Sequence, residues 1–492
     1  MTLLLVPILL PILGGLATGL IRFSSRRTRS IFVEIIALAN SALLFYLVFR
    51  GQGLSLSALR LTENLTITLR VDGLTRVFGA LIAFLWPLAT LYAFEYMEVE
   101  GRENTFFAYY LMSYGVTAGI ALSGNLFTLY AFYELLTLVT LPLVLHKLDT
   151  TSIHASRTYL YYSISGAALA FIGMIFVLTY GTNPTTEFVY GGMLDMARVA
   201  DKKDLLLAVF LMSFVGFGVK AALFPVHAWL PTVSVAPTPV TALLHAVAVV
   251  KAGAFAIIRI IYYTFGTDFL YGTWAQYAAM GLAMFTIVFG SAMAVKEQHF
   301  KRRLAYSTVS NLSYIIFGAT LMSPAGLTGS LTHMLFHGIM KITLFFCAGA
   351  VLVKTHKTQI ESLRGFGSIM PFTFSVYTVA ALALMGTPLL PGFVSKWMIG
   401  MAAVHSGTVM GTLGVAAILV SAVLTAIYLM SVAFFAFFRP LEDTEGLTVG
   451  RCYDPTWKMK LPLAILTIAI VACGVFSNSI IAKLAAVAAG VI

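Results

Sequence analysis

Apolar residues follow one another in long runs along almost the whole chain, and short polar or Pro/Gly-containing breaks separate the runs. The hydrocarbon core of a bilayer is roughly 30 Å thick and needs about 20 apolar residues per helix. The pattern predicts an all-α polytopic membrane protein of about fourteen transmembrane helices, near 1–21, 31–50, 74–95, 105–123, 126–146, 158–180, 204–230, 239–262, 272–295, 305–322, 328–352, 372–404, 409–438 and 461–489.

Helix-breaking residues interrupt two of these spans. Pro225 lies in the seventh span, and Pro388 and Pro391 lie in the twelfth. Proline removes a backbone donor and clashes with the preceding turn, so helices 7 and 12 should break inside the membrane. Paired breaks in two halves of a chain are typical of inverted-repeat transporters. They predict two inverted five-helix repeats, over residues 105–262 and 272–438.

The remaining segments flank these repeats. Residues 1–104 are expected to form a three-helix segment with an outer-surface loop, and residues 439–492 a cytoplasmic loop and the final helix. Within the loop at 51–73, the alternating stretch LTITL is followed by Asp72 and Gly73. This pattern predicts a short strand and a turn on the outer surface.

Composition excludes a soluble protein, because 59% of the residues are hydrophobic and only 10% are charged. The net charge of +11 comes from short basic clusters beside apolar runs, which membrane topology explains without a nucleic-acid partner. Cys347, Cys452 and Cys473 are scattered without CxxC spacing. Neither an iron–sulfur cluster nor a structural zinc site is supported, so we expect no bound cofactor and no redox chemistry in this chain.

Basic residues cluster in loops that an even number of spans places on one side of the membrane. These loops are 22–29, 296–303, 353–364 and 439–460. The positive-inside rule makes that side cytoplasmic, so both termini are expected outside. We therefore expect a multi-pass protein of the cell (inner) membrane, whose first span is retained rather than cleaved.

Charged residues also occur inside the apolar runs, at Glu134, Lys220, Lys251, Lys341 and Lys396. A charge at the centre of a membrane helix costs roughly 3 kcal/mol on insertion scales. Several of them in one chain imply pairing, a wet interior or both. The structural alternative is a side chain that snorkels from a helix end to the interface, which suits Lys341 and Lys396 best.

Glu134 and Lys220 suggest a switch. Burial favours the neutral form of each group, whereas pairing favours the charged forms. A glutamate close to the lysine holds the lysine's proton, and a glutamate that moves away lets the buried lysine release it. A proton pump needs a site that is modulated in this way.

Histidines provide a possible connection between the two halves. His333, His337 and Lys341 are spaced i, i+4, i+8 on one helix face, and His245 lies near the start of the span that carries Lys251. Histidine titrates near neutral pH and has two ring nitrogens, so these residues are candidates for a proton relay. Structural polar contacts and a metal site are the alternatives. A lysine one turn from the pair, without acidic or thiol ligands, disfavours a metal.

Five motifs together resemble the antiporter-like subunits shared by respiratory complex I, Mrp-type Na⁺/H⁺ antiporters and membrane-bound hydrogenases. They are FYELLTL at Glu134, VKAALFPVHAWLP at Lys220, APTPVTALLHAVAVVKAG ahead of Lys251, HxxxHxxxK from His333, and PGFVSKW at Lys396. The resemblance covers nearly the whole chain. It implies fourteen helices in two inverted repeats, broken helices 7 and 12, and a proton path along the middle of the membrane.

The same resemblance implies a role for each matched residue. Glu134 would pair with the broken-helix lysine Lys220, Lys251 would be the central lysine, and His333 and His337 would be the bridging histidines. Lys396 would be the exit-side residue, at a position where some members of the family have glutamate. Because no long lateral helix follows the last span, the chain resembles the shorter subunits of Mrp-type and hydrogenase-type complexes.

The function expected from these features is proton translocation within a multisubunit ion-pumping complex. The path would run from the cytoplasm to Lys220, gated by Glu134, and then through Lys251, His333 and His337 to Lys396. Partners would be lipid, a second antiporter-like chain, and either a redox module or Mrp-type small subunits. Protons are favoured over Na⁺ because the interior is rich in lysine and histidine, and Na⁺ is left to a sister chain of the complex.

Two other functions remain open at this stage. An autonomous secondary transporter would bind an anionic solute at helix N-termini and lysines of the broken helices. Solute carriers concentrate polar groups in one pocket, whereas these charges are spread over about half of the spans. A quinone-binding enzyme is the weaker possibility, because no redox motif supports it.

Overall fold

The computed structural model describes residues 2–182, 185–441 and 451–490, which are mainly helical. The longer helices are α1 (Val6–Leu20), α2 (Arg26–Arg50), α3 (Gly73–Glu100), α4 (Glu103–Ala121), α5 (Leu126–Val144), α6 (Thr150–Tyr180), α7 (Lys203–Lys220), α8 (Thr238–Ala246), α9 (Val249–Arg259), α10 (Trp274–Lys296), α11 (Phe300–Thr320), α12 (Pro324–Thr355), α13 (Pro371–Met385), α14 (Pro391–His405), α15 (Val409–Phe438), α16 (Trp457–Val475) and α17 (Ser477–Ala488). Shorter helical turns occupy Thr2–Leu5, Met196–Val199, Ala200–Lys202, Trp229–Thr232, Val233–Val235, Ile260–Phe265, Thr267–Leu270, Glu361–Leu363 and Phe366–Ile369.

Ten helical stretches of the described chain are long and apolar enough to cross a membrane. The protein is therefore a multi-pass membrane protein, as its hydrophobic pattern predicts. Helices α4 and α11 occupy two further predicted spans but are not among the ten. Both contain many polar residues, and α11 begins with the basic run from Lys301 to Arg303.

Both predicted helix breaks are present. Helix α7 ends at Lys220, and the chain becomes helical again only at Trp229, beyond Pro225. Helices α13 and α14 are separated by residues 386–390. Gly386 ends α13 with a φ of 103°, a backbone conformation that favours glycine, and Pro391 begins α14.

A third interruption was not predicted, although it lies within the expected span at 239–262, which is confirmed as one of the ten apolar stretches, Thr238–Phe265. Helix α8 ends at Ala246 and α9 begins at Val249, although no proline lies between them. The amides of Val247 and Ala248 both donate to the carbonyl of Leu243, at 2.9 and 2.8 Å. Lys251 consequently lies in the first turn of a new helix.

The expected single span at 461–489 was also wrong. It consists of α16 and α17, which meet at Phe476. A Cβ at Gly474 would collide with the carbonyl of Leu389, so the end of α16 packs directly on the bend between α13 and α14. Part of the predicted loop at 439–460, residues 442–450, lies outside the described residues.

The predicted strand belongs to a hairpin of β1 (Ser55–Arg60) and β2 (Thr66–Arg70), which pair antiparallel with Leu56 opposite Leu69. The expected turn at Asp72 was wrong, because Asp72 instead caps α3. Its Oδ1 accepts a hydrogen bond from the amide of Thr75 at 2.9 Å. Apart from this hairpin and the loops between the elements, the described chain is helical.

Asp72 also forms a buried ion pair with Arg259, at the end of α9. The two guanidinium nitrogens donate to the two carboxylate oxygens at 2.6 and 2.9 Å. Arg259 is fully buried, and the rings of Phe188, Phe255 and Tyr263 surround its guanidinium. The pair joins the start of α3 to the end of α9 and so anchors the helix that carries Lys251.

Helix α12 is central to the fold. It packs against α3, α8, α11, α13, α14, α16 and α17. Almost every side chain from Gly326 to Val351 is buried by these neighbours. Polar residues on α12 consequently face protein rather than lipid.

We predict that Asp72→Asn destabilises the protein by roughly 3–5 kcal/mol, because it leaves the buried Arg259 charge without a partner. Thermal unfolding in detergent would measure the loss. The same substitution type at a more exposed pair, Glu98→Gln beside Lys458, should cost less than about 1 kcal/mol. Equal losses in the two variants would contradict this assignment.

The pair also predicts a dependence of stability on pH. Burial would raise the pKa of Asp72, but the charge and hydrogen bonds of Arg259 and the Thr75 amide lower it to about 2. An aspartate in the unfolded chain titrates near about 3.9. The stabilisation by Asp72 is therefore complete above about pH 4 and is lost as the pH falls through about 2.

Candidate functional site

The buried Glu134–Lys220 pair lies between α5 and α7. The ammonium of Lys220 lies 3.5 Å from Oε1 of Glu134, and 1% of the lysine side chain is exposed against 28% of the glutamate. Lys220 also donates to the backbone carbonyl of Tyr133, and its ammonium lies 3.5 Å from the centre of the Tyr133 ring. The glutamate is thus the more accessible member of the pair.

Lys251 contacts a histidine from the central helix. Its ammonium lies 2.5 Å from Nδ1 of His337, and both side chains are fully buried. A lysine ammonium only donates hydrogen bonds, so Nδ1 accepts and neutral His337 carries its hydrogen on Nε2. This hydrogen bond can carry a proton between the two side chains.

Close helix packing brings Lys251 near Lys220. A Cβ at Gly253 would collide with the backbone of Lys220 and Ala221, so α9 lies directly on the end of α7. Gly338, next to His337, likewise lies against the break after α8, where an added Cβ would be 3.3 Å from the carbonyl of Ala246. Gly253 therefore lets α9 approach the end of α7, and Gly338 lets α12 approach the break after α8.

His333 is held by Ser395 of α14, with Nδ1 and Oγ 2.9 Å apart. The hydroxyl of Ser395 lies within 3.2 and 3.3 Å of the carbonyls of Pro391 and Gly392. When the one hydroxyl hydrogen goes to either carbonyl, Ser395 accepts from His333 and the neutral ring carries its hydrogen on Nδ1; when it goes to Nδ1, the ring carries its hydrogen on Nε2. The rings of His333 and His337 are nearly parallel, with centroids 5.7 Å apart.

Lys396 reaches back across the break between α13 and α14. Its ammonium donates to the carbonyls of Leu384 and Met385, at 2.8 and 3.1 Å. These carbonyls belong to the last turn of α13 and lack helical partners, so they suit a cation. The same ammonium lies 5.4 Å from the centre of the Tyr314 ring.

Lys341 and His245 lie beside this row. The ammonium of Lys341 donates to Ser307 Oγ at 2.8 Å and to the Leu304 carbonyl at 3.3 Å. His245 stacks on Phe345, with ring centroids 4.7 Å apart. Within the described chain neither ring nitrogen of His245 has a hydrogen-bond partner, although the residue is fully buried.

The predicted residues thus form two groups joined by backbone contact. One is the Glu134–Lys220 pair, and the other contains Lys251, His337, His333 and Lys396, with Ser395 as an additional member that was not predicted. Among the described residues, no carboxylate lies within ion-pair distance of Lys251, Lys341 or Lys396. Lys341 and Lys396 are buried and hydrogen-bonded inside the protein, so neither snorkels to the interface.

Three residues of this arrangement were not predicted, namely Tyr133, Ser307 and Ser395. Each holds a buried cation or histidine through a hydroxyl or a backbone carbonyl. Tyr133 and Ser395 are the immediate neighbours of Glu134 and Lys396 in the sequence. A search for polar residues beside intramembrane charges would have found these two but not Ser307.

No cluster of three or more histidine, cysteine, aspartate or glutamate side chains that suits a metal ion occurs in the described ranges. His333 and His337 instead direct their Nδ1 atoms to Ser395 and Lys251. These contacts place the two histidines in a row of protonatable groups.

Residues 123–443 match the family described as NADH:quinone oxidoreductase/Mrp antiporter, transmembrane. The chain belongs to this family of antiporter-like membrane proteins. The matched segment contains all eight charged and histidine residues that the sequence singled out.

Individual relatives agree with this assignment. The chain is 31% identical to NADH-quinone oxidoreductase subunit N of Desulforudis audaxviator, over 85% of this chain and 83% of that protein. It is also 31% identical to hydrogenase-4 component B of Escherichia coli, over 68% of this chain but only 51% of that protein. A chain of the Mrp complex from Dietzia sp. DQ12-45-1b has the same fold, with a TM-score of 0.82, 21% identity and coverage of 100% of this chain and 97% of that chain.

Proposed function

We propose that this chain is a proton-translocating, antiporter-like subunit of a multisubunit ion-pumping complex, either an Mrp-type antiporter or a membrane-bound hydrogenase or oxidoreductase. The observation that carries the proposal is the hydrogen bond between Lys251 and His337, two fully buried protonatable groups. The two sequence relatives described above are named as a subunit or a component of a larger enzyme, which supports partner subunits for this chain as well.

In the proposed path, a proton is first taken up at the Glu134–Lys220 pair. Glu134 is partly exposed, and Lys220 is buried behind it. While the carboxylate lies beside the ammonium, the charged form of Lys220 is favoured; movement of Glu134 favours release of the proton. The carbonyl and ring of Tyr133 hold the ammonium in position throughout.

Transfer to the central helix follows at Lys251. A proton leaving the Lys251 ammonium goes to Nδ1 of His337, and the imidazolium then carries hydrogen on both nitrogens. Release from Nε2 to a water molecule between His337 and His333 returns His337 to a neutral ring, ready to rotate or to exchange its tautomer. The His337 ring thus receives a proton on Nδ1 and releases a proton from Nε2.

The last part of the path runs from His333 to Lys396. In the tautomer of His333 with its hydrogen on Nδ1, Nε2 is an acceptor, and this atom is buried without a hydrogen-bond partner among the described residues. The Lys396 ammonium lies against the end of α13, where the break exposes carbonyls inside the protein. His245 and Lys341 are proposed as side branches that tune the central group.

The membrane topology is part of the proposal. It comprises fourteen spans, inverted repeats over 105–262 and 272–438, and flanking segments 1–104 and 439–492. The breaks after α7 and between α13 and α14 support it. The basic loops support termini on the extracytoplasmic side of the cell (inner) membrane. The transported ion is H⁺, no cofactor is bound by this chain, and any Na⁺ transport belongs to a different chain of the complex.

The alternative of an autonomous carrier for an anionic solute is less favoured. Protein groups already hold Lys220 and Lys396, through Glu134 and through helix-terminal carbonyls respectively. These ammonium groups are therefore engaged rather than directed together into one solute pocket. The family assignment favours the ion-translocating role within a complex.

Lys251→Ala is predicted to abolish proton pumping while the complex still assembles, because it removes a protonatable step from the path. Acidification of membrane vesicles, followed with a pH-sensitive dye, would measure pumping, and a native gel would check assembly. The control is Lys296→Ala, an exposed lysine at the end of α10. Pumping by assembled Lys251→Ala at the control rate would exclude the relay.

A different outcome is expected for Glu134→Gln. Lys220 then loses the carboxylate that favours its protonated form, so transport should slow and its dependence on pH should change. The measurement is the rate of vesicle acidification over a range of pH, with Glu63→Gln in the exposed hairpin as the matched control. An unaltered pH profile would count against the switch.

Association with other subunits can be tested directly. Purification of the chain from its native membrane in mild detergent should yield a complex in which mass spectrometry identifies hydrogenase-type, oxidoreductase or Mrp-type subunits. A single monodisperse chain that transports a solute by itself would support the carrier instead.

A further inference from the structure

A small basic cavity lies away from the proposed proton path. It has a volume of about 170 Å³ and is bounded by the loop after α5, the turn before α8, the start of α11 and the end of α12. Its polar lining residues are Lys147, Ser234, His299, Lys301, Lys357 and Thr358. Two of the basic loops recognised in the sequence, 296–303 and 353–364, therefore meet at this cavity.

Positive charge at the cavity exceeds the negative charge around it. Lys147 is paired with Glu100 at 3.1 Å. Among the described residues, no carboxylate lies within ion-pair distance of Lys301 or Lys357. The Lys301 residue is only 6% exposed, and its ammonium donates to the carbonyl of Ala236 at 2.7 Å. An ammonium has three hydrogens, so Lys301 retains further donors.

Ser234 provides an independent sign of a ligand. It lines the cavity and is 1% exposed, and its hydroxyl has no hydrogen-bond partner among the described residues. A buried hydroxyl without a partner costs free energy, which a ligand atom in the cavity would recover. His299 and Phe300 also place the beginning of the 21-residue helix α11 at the cavity. Their amides already donate to Glu297 Oε1 and to the Thr358 carbonyl, so the helix contributes through its dipole, which favours an anion.

His299 contributes a hydrogen-bond donor to the cavity. The protonation state of its ring depends on whether the cavity holds an anion. Burial, followed by the charges of Lys301 and Arg302, lowers the pKa of His299 to about 4, and Glu297 opposes this shift. The ring is therefore neutral near pH 7 when the cavity holds no anion. It can donate one hydrogen bond in that state without adding to the net charge.

We propose that this cavity binds a phosphate group, carried either by the headgroup of an anionic phospholipid or by free inorganic phosphate. Ammonium groups and a hydroxyl are donors that phosphate oxygens accept from, and the dipole of α11 adds a potential that favours the anion. The volume accommodates one tetrahedral oxyanion. The site does not depend on the proposed proton path.

Native mass spectrometry of the detergent-solubilised protein would test this site. Phosphatidylglycerol, phosphatidylcholine with the same acyl chains, and inorganic phosphate would be added separately. We expect one equivalent of phosphatidylglycerol or of phosphate to bind, with apparent affinity at least about fivefold above that of phosphatidylcholine. Preference for phosphatidylglycerol identifies a lipid headgroup, and binding of phosphate alone identifies the free anion.

Substitutions of cavity residues would show whether the phosphate group binds in this cavity. Lys357→Gln and Ser234→Ala should each weaken it at least about threefold, whereas Lys296→Gln, the same charge change at an exposed position outside the cavity, should leave it unaltered. Lys357 is only partly buried, so its substitution tests the site without emptying the core. Absence of preferential binding in the native protein, or equal binding by Lys357→Gln and Lys296→Gln, would overturn the proposal.

Discussion

A charged group inside a membrane protein needs partners from the protein, because hydrocarbon supplies no hydrogen bonds. This constraint organises the molecule around α12. Lys220 is held by Glu134 and Tyr133, Lys341 by Ser307, and Lys396 by two carbonyls at the end of α13. Each partner comes from another helix or from across a helix break, so the positions of the lysines and the packing of the helices depend on one another.

Helix breaks supply backbone carbonyls that have no helical partner, at the positions where a cation needs an acceptor. The break between α13 and α14 leaves the carbonyls of Leu384 and Met385 for Lys396. The break between α8 and α9 brings Lys251 to the start of a helix, beside His337. Small residues at the helix contacts allow the backbones to approach closely at these points. Close packing and opened backbone thus together create a polar interior in a mostly apolar protein.

The buried pair of Asp72 and Arg259 connects this interior to the hairpin. It anchors α9, which carries Lys251 eight residues before Arg259. The basic cavity at the start of α11 lies beside the turn before α8, the helix that carries His245, because Lys301 donates to the carbonyl of Ala236.

The sequence by itself determined that the chain is a multi-pass helical membrane protein, because the apolar runs have the length that a bilayer requires. It also identified the charged residues and two of the helix breaks, since an intramembrane lysine and a proline are each visible without neighbours. Only the tertiary structure revealed the break before Val249, the division at Phe476 and the capping role of Asp72. Those features depend on contacts such as Gly338 with Ala246, Gly474 with Leu389 and Asp72 with Arg259. The same reason applies to Tyr133, Ser307 and Ser395: a hydrogen bond between distant helices is decided by how they pack, and hydrophobic periodicity records only which side of each helix is apolar.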